Sequence, residues 1–285
     1  AMADISDLKM TIITNDPAKR YYYTLLFGDK YRVKIATRNV NIPGIQNFRD
    51  LGGYPSYSTK KQVRWGMIYR SAEIDSLECY SRRELRNLGI KTLIDLRTSS
   101  ETGRQSPLQK EFNVVHIPLA TGDMENILKG IREEKIKSDT VYRMVEQMNR
   151  DLIDKYTTEY RQIFDILLDK NSYPVVIHCS SGKGRTGIVS ALVLAALGIN
   201  EDIIMEDYRL SNDYFNIPSA SKDAYQLPAR SQEAITTLFS AREDFLNAAK
   251  EEAECRYGDI DTYLQKGIGL NKNEIKRLRS ILLSD

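Results

Sequence analysis

Tyr173-Pro174-Val175-Val176-Ile177-His178-Cys179-Ser180-Ser181-Gly182-Lys183-Gly184-Arg185-Thr186-Gly187 is the stretch on which the reading of this chain turns. Its first five residues are bounded by a proline and rich in β-branched side chains, which predicts a short buried strand. Downstream, Ile188 to Leu197 is an apolar run of helix length closed by Gly198, a residue suited to a helix C-terminus. The segment between is therefore a strand-to-helix turn, whose backbone N–H groups and helix N-terminus converge on one point and bind an anion without needing a cationic side chain. Five residues separate Cys179 from Arg185, glycines punctuate the span, and a hydroxyl follows. That is the chemistry needed to hold a phosphate monoester and to attack it with sulfur.

Each residue type has a task. A helix N-terminus and nearby positive charge lower a thiol pKa, so Cys179 is expected as a thiolate nucleophile that forms a phosphocysteine intermediate. Arg185 offers a planar fork able to bind two phosphate oxygens at once. Ser180, Ser181, Gly182, Lys183 and Gly184 form the cradle for the substrate phosphate, with glycines where unusual backbone angles are needed. Thr186 hydrogen-bonds the sulfur and improves it as a leaving group. His178 orders the loop, since a thiolate needs no base. A lone buried cysteine before a helix is also an ordinary small core residue. The joint spacing of His, Cys, Gly, Arg, Thr and Gly favours the chemical reading.

The pattern HCxxGxxRTG resembles the signature of cysteine-dependent protein tyrosine phosphatases and their dual-specificity relatives. Three further segments narrow the resemblance: Asn47-Phe48-Arg49-Asp50-Leu51-Gly52-Gly53-Tyr54, Tyr69-Arg70-Ser71-Ala72, and Ile94-Asp95-Leu96-Arg97-Thr98 with Glu101. Together with Asp207-Tyr208-Arg209-Leu210-Ser211-Asn212, they resemble the bacterial family of the mycobacterial triple-specificity and Listeria lipid phosphatase type, over about residues 40 to 285. The resemblance implies action on phosphotyrosine, in some members on phosphoserine or phosphothreonine, and often on phosphoinositides.

One departure matters. The family loop usually reads GKDR, with the aspartate proposed as general acid, and here Gly184 holds that place. The GKGR version is similar to the loop of the eukaryotic phosphoinositide 3-phosphatase tumour suppressor, whose acid comes from a separate loop. The leaving-group proton is thus expected from elsewhere. Tyrosine phosphatases commonly place an acid loop after a strand upstream of the cysteine, and Asp123 follows such a run, Phe112 to Leu119. The competing reading is that Asp123 simply caps the next helix. Asp95 is the second candidate for the acid, against a structural ion pair with Arg97 or Arg70.

The remaining residues bound the possibilities. Lys183 reads as an exposed loop cation contacting substrate phosphate, or as one merely solvated. Arg49 and Asp50 read as structural ion-pair partners near a tight turn. Three cysteines, an odd number, argue against a disulfide framework, so Cys79 and Cys255 are expected as reduced thiols. Two histidines leave no His-rich metal site, and the chemistry calls for no metal and no cofactor. A net charge of +2 is too balanced to predict nucleic-acid binding. No apolar run reaches the roughly 18 residues of a membrane span. No secretory signal opens the chain, which reads as cytoplasmic as it stands, and as secreted or periplasmic if a leader was removed.

Strand-like runs in residues 1 to 40 suggest a short β-rich N-terminal segment. Residues 41 to 285 are expected to form the catalytic domain, an α/β fold of the tyrosine phosphatase type with a central sheet covered by helices on both faces. Ser81 to Glu84 has the spacing of a capping box for a helix ended by Gly89, and Asn271 to Glu274 resembles another cap. Residues 124 to 170 read as a helical insertion, either a lid over the site or an amphipathic surface hairpin. The functional expectation is a phosphomonoesterase acting on phosphotyrosine proteins and on phosphoserine or phosphothreonine. A phosphoinositide phosphatase and a phosphate-binding pseudophosphatase are the alternatives.

Overall fold

Ten short strands fall into three sheets in the computed structural model, which describes residues 11–13, 19–28, 31–75, 77–102, 107–220 and 223–284. They are β1 Tyr23–Phe27, β2 Tyr31–Ile35, β3 Arg49–Asp50, β4 Pro55–Ser56, β5 Lys61–Val63, β6 Ile68–Ser71, β7 Thr92–Asp95, β8 Asn113–His116, β9 Val175–His178 and β10 Leu283–Ser284. The central sheet has the order β3-β6-β9-β7-β8, with β3 antiparallel to β6 and the other pairings parallel. Register places Ser71, His178, Asp95 and His116 side by side at the C-terminal ends of the parallel strands. Loops leaving that edge of an open α/β sheet form its usual ligand crevice.

The helices between β6 and β9 are α1 Cys79–Asn87, α2 Ser99–Thr102, α3 Met124–Arg132, α4 Ser138–Lys155 and α5 Thr157–Leu168. After β9 come α6 Gly184–Ala196, α7 Glu201–Arg209, α8 Ser211–Tyr214, α9 Ile217–Ala220, α10 Ala229–Phe239, α11 Glu243–Tyr257, α12 Ile260–Thr262 and α13 Lys272–Leu282. None of the described helices is long and apolar enough to cross a membrane.

The period-two alternation of the strands sorts their side chains between two cores. Ile68, Ile94, Val175 and Ile177 point to the larger one, packed with Ile163 and Phe164 of α5, Ile188 and Leu192 of α6, and Leu278 of α13. Tyr69, Leu93 and Val176 point to the other, closed by Leu85 of α1 and by Ile42, Phe48 and Phe112 from connecting segments. The expected two-sided cover is present, but one side relies on a single helix and on loops. β10 pairs with β5 and returns the end of α13 to the sheet region.

The 124–170 region is neither a simple hairpin nor a detached insertion. Ile127 and Ile131 of α3 and Val141 and Val145 of α4 join Ala234, Ile235 and Leu238 of α10 and Phe245 of α11 in a third core. The capping-box expectation at Ser81 fails: α1 begins earlier at Cys79, and the Ser81 hydroxyl donates to the carbonyl of Pro43. The helix end is as expected, with Gly89 at φ +71°. At α13 the capping box is complete, with Asn271 and Glu274 satisfying each other's backbone N–H groups. The β-rich expectation for the N-terminal segment is met by the β1–β2 hairpin, while Met10 and Thr14 of the earlier run lie outside the described residues.

Candidate active site

Residues 179–183 form a loop that runs from the end of β9 straight into the first turn of α6. Gly182 sits at φ +66°, and a Cβ there would collide with the backbone of Ser71 and Ala72, so only glycine lets the loop pass the end of β6 this closely. Arg185, Thr186 and Gly187 already belong to the helix. The helix therefore begins within the loop motif rather than after it.

The loop's carbonyls are held from behind. Asn47 Nδ2 donates to the carbonyls of Ser181 at 3.1 Å and Gly182 at 3.0 Å. Arg70 Nη2 donates to Gly182 O at 2.8 Å, while its Nη1 binds Asp207 Oδ2 at 2.6 Å. Arg49 meets the same aspartate at 3.3 Å through Nε, donates to its carbonyl at 2.8 Å, and also donates to Asn47 Oδ1. Tyr54 donates its hydroxyl to Asp207 Oδ1 at 2.9 Å. Arg49, Arg70 and Asp207 are all buried, and the two guanidinium groups hold the Asp207 carboxyl down to about 2 despite its burial. With carbonyls bound outward, the loop's N–H groups are left to face an anion.

These contacts explain three of the four motif segments that flank the loop. Asn47, Arg49, Arg70, Asp207 and Ser211 form one scaffold, and Arg49 pairs with Asp207 rather than with its neighbour Asp50. Asp50 instead accepts from the Gly52 and Gly66 amides at 2.7 Å each and pairs with Arg20 at 2.8 Å. Ser211 Oγ accepts from Arg49 at 3.1 Å.

Cys179 is 1 % exposed. Burial pushes its thiol up, but the Arg185 charge, the Thr186 side chain and the Thr186 and Gly182 amides outweigh it and lower its pKa. A lowered thiol pKa favours the thiolate, the form in which a cysteine is nucleophilic. The Thr186 hydroxyl has no other partner among the described residues.

Arg185 is fixed by Glu101 of α2, whose two oxygens accept from Nη1 and Nη2 at 2.7 Å each. Ser180 Oγ donates to the same carboxylate at 2.7 Å. The Glu101 carboxyl is brought down to about 2, because the bonds from Arg185 and Ser180 overcome its partial burial. Glu101 orients the Arg185 guanidinium, and sequence reasoning assigned it no role. A signal existed in Thr98-x-x-Glu101: Glu101 accepts from the Thr98 amide at 2.9 Å, half of a capping box.

The other expected site residues separate. Asp95 binds Arg97, with Oδ2 at 2.8 Å from Nη2, and its pKa lies below the usual carboxylate value because the Arg97 bonds and nearby His178 outweigh desolvation. Of its two readings the ion pair is present, with Arg97 and not Arg70. Asp123 is exposed and caps α3, accepting from the Asn126 amide at 3.0 Å. His178 is buried and held neutral, its pKa lowered to about 4 chiefly by desolvation, which suits a loop-ordering residue and not a base.

Lys183 departs most from expectation. It is 6 % exposed and turned away from solvent, with Nζ donating to the carbonyls of Leu238 at 2.5 Å and Ser240 at 2.9 Å. Burial lowers its ammonium to about 7. The residue therefore ties the catalytic loop to the α10–α11 corner instead of reaching into the anion cradle. Gly184, by contrast, has open space where a Cβ would stand.

A model described as tyrosine phosphatase family matches residues 40–284. The triple specificity protein phosphatase PtpB of Mycobacterium tuberculosis is 30% identical over 285 aligned residues, covering 85% of this chain and 98% of that protein. A putative tyrosine-protein phosphatase of Cupriavidus necator is 25% identical, over 81% of this chain and 85% of its own. The catalytic core of Siw14 is 16% identical and aligns with a TM-score of 0.37, covering 75% of this chain and 95% of that one. A family match across residues 40–284 settles the relationship: the chain belongs to the tyrosine phosphatase family.

Proposed function

We propose that the chain hydrolyses phosphomonoesters through a phosphocysteine intermediate, with phosphotyrosine on proteins as its principal substrate. The observation that carries the reading is the pairing of a thiol of lowered pKa with a guanidinium fixed beside it by Glu101. Cys179 attacks phosphorus. Arg185 and the loop amides bind the equatorial oxygens, with the guanidinium positioned beforehand by Glu101. Ser180, Ser181, Gly182 and Gly184 supply the cradle's backbone, and Thr186 supports the sulfur as leaving group in the second step. The name of the mycobacterial relative supports action on several phosphoester types, so phosphoserine and phosphothreonine belong to the same proposal.

The test is phosphate release from phosphotyrosine and phosphoserine peptides and from mono- to trisphosphorylated phosphoinositides, with Cys179→Ser alongside. Release from phosphotyrosine that vanishes in the variant is the expected result. Preference for the lipids would move the substrate assignment. Binding without release by the unmodified chain would mark it as a phosphate-reading protein and overturn the enzymatic reading.

A further inference from the structure

The loop has no acid of its own, because position 184 is glycine, and the two carboxylates expected to replace it are engaged elsewhere. Asp95 is clamped by Arg97, and Asp123 caps α3 through both its oxygens, one to the Asn126 amide and one to the Asn126 side chain. Glu101 is bound by Arg185 and Ser180. Asp75 lies in a two-pronged pair with Arg97, both contacts at 2.8 Å. Each of these carboxylates is engaged by a cation or by hydrogen-bond donors.

Glu73 is different. It follows Tyr69-Arg70-Ser71-Ala72 at the end of β6, and its amide donates to the carbonyl of Ser180 at 3.2 Å, directly beside the nucleophile in the chain. Its side chain is 59 % exposed, and its nearest cation is Arg97 at 3.6 Å, already shared with Asp75 and Asp95. Local burial raises its pKa first, and the carboxylates of Asp75, Glu101 and Asp95 raise it further against the pull of Arg97. Its surroundings thus favour the protonated form, as a proton donor needs.

We propose that Glu73 is the general acid and base of the reaction: an exposed carboxyl on a residue whose backbone amide is fastened to Ser180, the residue after Cys179. The assignment rests on the phosphocysteine reading above. In the first step the sulfur–phosphorus bond forms as the ester P–O bond breaks, and its electron pair goes to the leaving oxygen, which takes the Glu73 proton. In the second step the Glu73 carboxylate takes a proton from water as that oxygen attacks phosphorus. The P–S bond then breaks, its electron pair returns to sulfur, and inorganic phosphate leaves with Cys179 a thiolate and Glu73 protonated again.

The experiment compares the full chain with Glu73→Gln, Glu73→Asp and Asp123→Asn on aryl phosphates of graded leaving-group pKa and on a phosphotyrosine peptide. For Glu73→Gln the expected loss is about 10²-fold or more on the peptide, as removal of a general acid gives. The loss should be small on the best leaving group, and the basic limb of the pH–rate profile should vanish. Glu73→Asp should recover part of the rate. Orthovanadate binding by Glu73→Gln should stay near wild type, which separates lost chemistry from a damaged loop. An unchanged rate and basic limb in Glu73→Gln, or the same signature produced by Asp123→Asn instead, would overturn the assignment. Turnover retained by Cys179→Ser would overturn the underlying phosphocysteine reading and not this residue alone.

Discussion

Arg70 and Asp207 meet at 2.6 Å inside the protein, and the same arginine holds the carbonyl of Gly182 at 2.8 Å. The loop between β9 and α6 is thereby shaped by a fully buried ion pair. The Asp207 carboxylate also faces Arg49, so a single negative charge serves two buried guanidinium groups.

Asp207→Asn should therefore cost far more than a surface pair would. Removing one partner of a buried pair leaves uncompensated charge, typically about 3–5 kcal/mol of lost stability. Urea unfolding of the variant checks the magnitude. A loss below about 1 kcal/mol, within the range of surface ion pairs, would show that the network contributes little to holding the fold.

Glu101→Gln should free the Arg185 guanidinium to rotate. Charged hydrogen bonds contribute roughly 1.5–3 kcal/mol, so kcat/KM for a phosphotyrosine peptide should fall about 10- to 100-fold. The Glu101 carboxyl is held at about 2, so this pair stays intact across any working pH and adds no acid limb of its own. Steady-state kinetics on the variant at several pH values tests both statements.

Lys183 sets a pH dependence with a definite sign. Its folded pKa is about 7 against the ordinary lysine value of 10.5, so between these values the unfolded chain binds more protons than the folded one. Stability should rise with pH across that window, at most by about 1.4 kcal/mol per unit. Denaturant unfolding at intervals through the window should give a steeper rise for the wild-type chain than for Lys183→Met. Equal slopes would remove the buried ammonium as the cause.

Gly184→Asp should fold normally. A Cβ at this position meets nothing within 4 Å, and an acidic residue in the first turn of α6 complements the helix dipole by about 0.3–1 kcal/mol. Thermal unfolding should show no loss. In a Glu73→Gln background the added carboxyl should restore part of the rate on poor leaving groups; no recovery would place the aspartate out of reach of the leaving oxygen.

The sequence made the strand, the loop and the catalytic helix legible because their signals are local: β-branched residues, glycines at fixed offsets and an apolar helical run. The roles of the flanking motifs were not legible, since Arg70 and Asp207 lie 137 residues apart. Lys183 misled for the same reason: glycines on either side suggest an exposed turn, and nothing nearby announces carbonyls 55 and 57 residues away. Ser81 carried a capping-box spacing, yet a tertiary partner, the carbonyl of Pro43, took its hydroxyl. Asp123 was legible as a cap and is one. Glu101 carried a cap-like signal whose tie to Arg185 only the folded chain displays.

The outward tethering of the loop carbonyls makes an oxyanion a reporter of global order. Asn47, Arg70 and Asp207 must all be in place before the cradle exists, so vanadate or phosphate should bind the native state and ignore the denatured one. Such a ligand raises the unfolding midpoint in proportion to the logarithm of its concentration. A dye-based melting scan with vanadate would then rank variants by the integrity of a scaffold that spans most of the chain, with no substrate required.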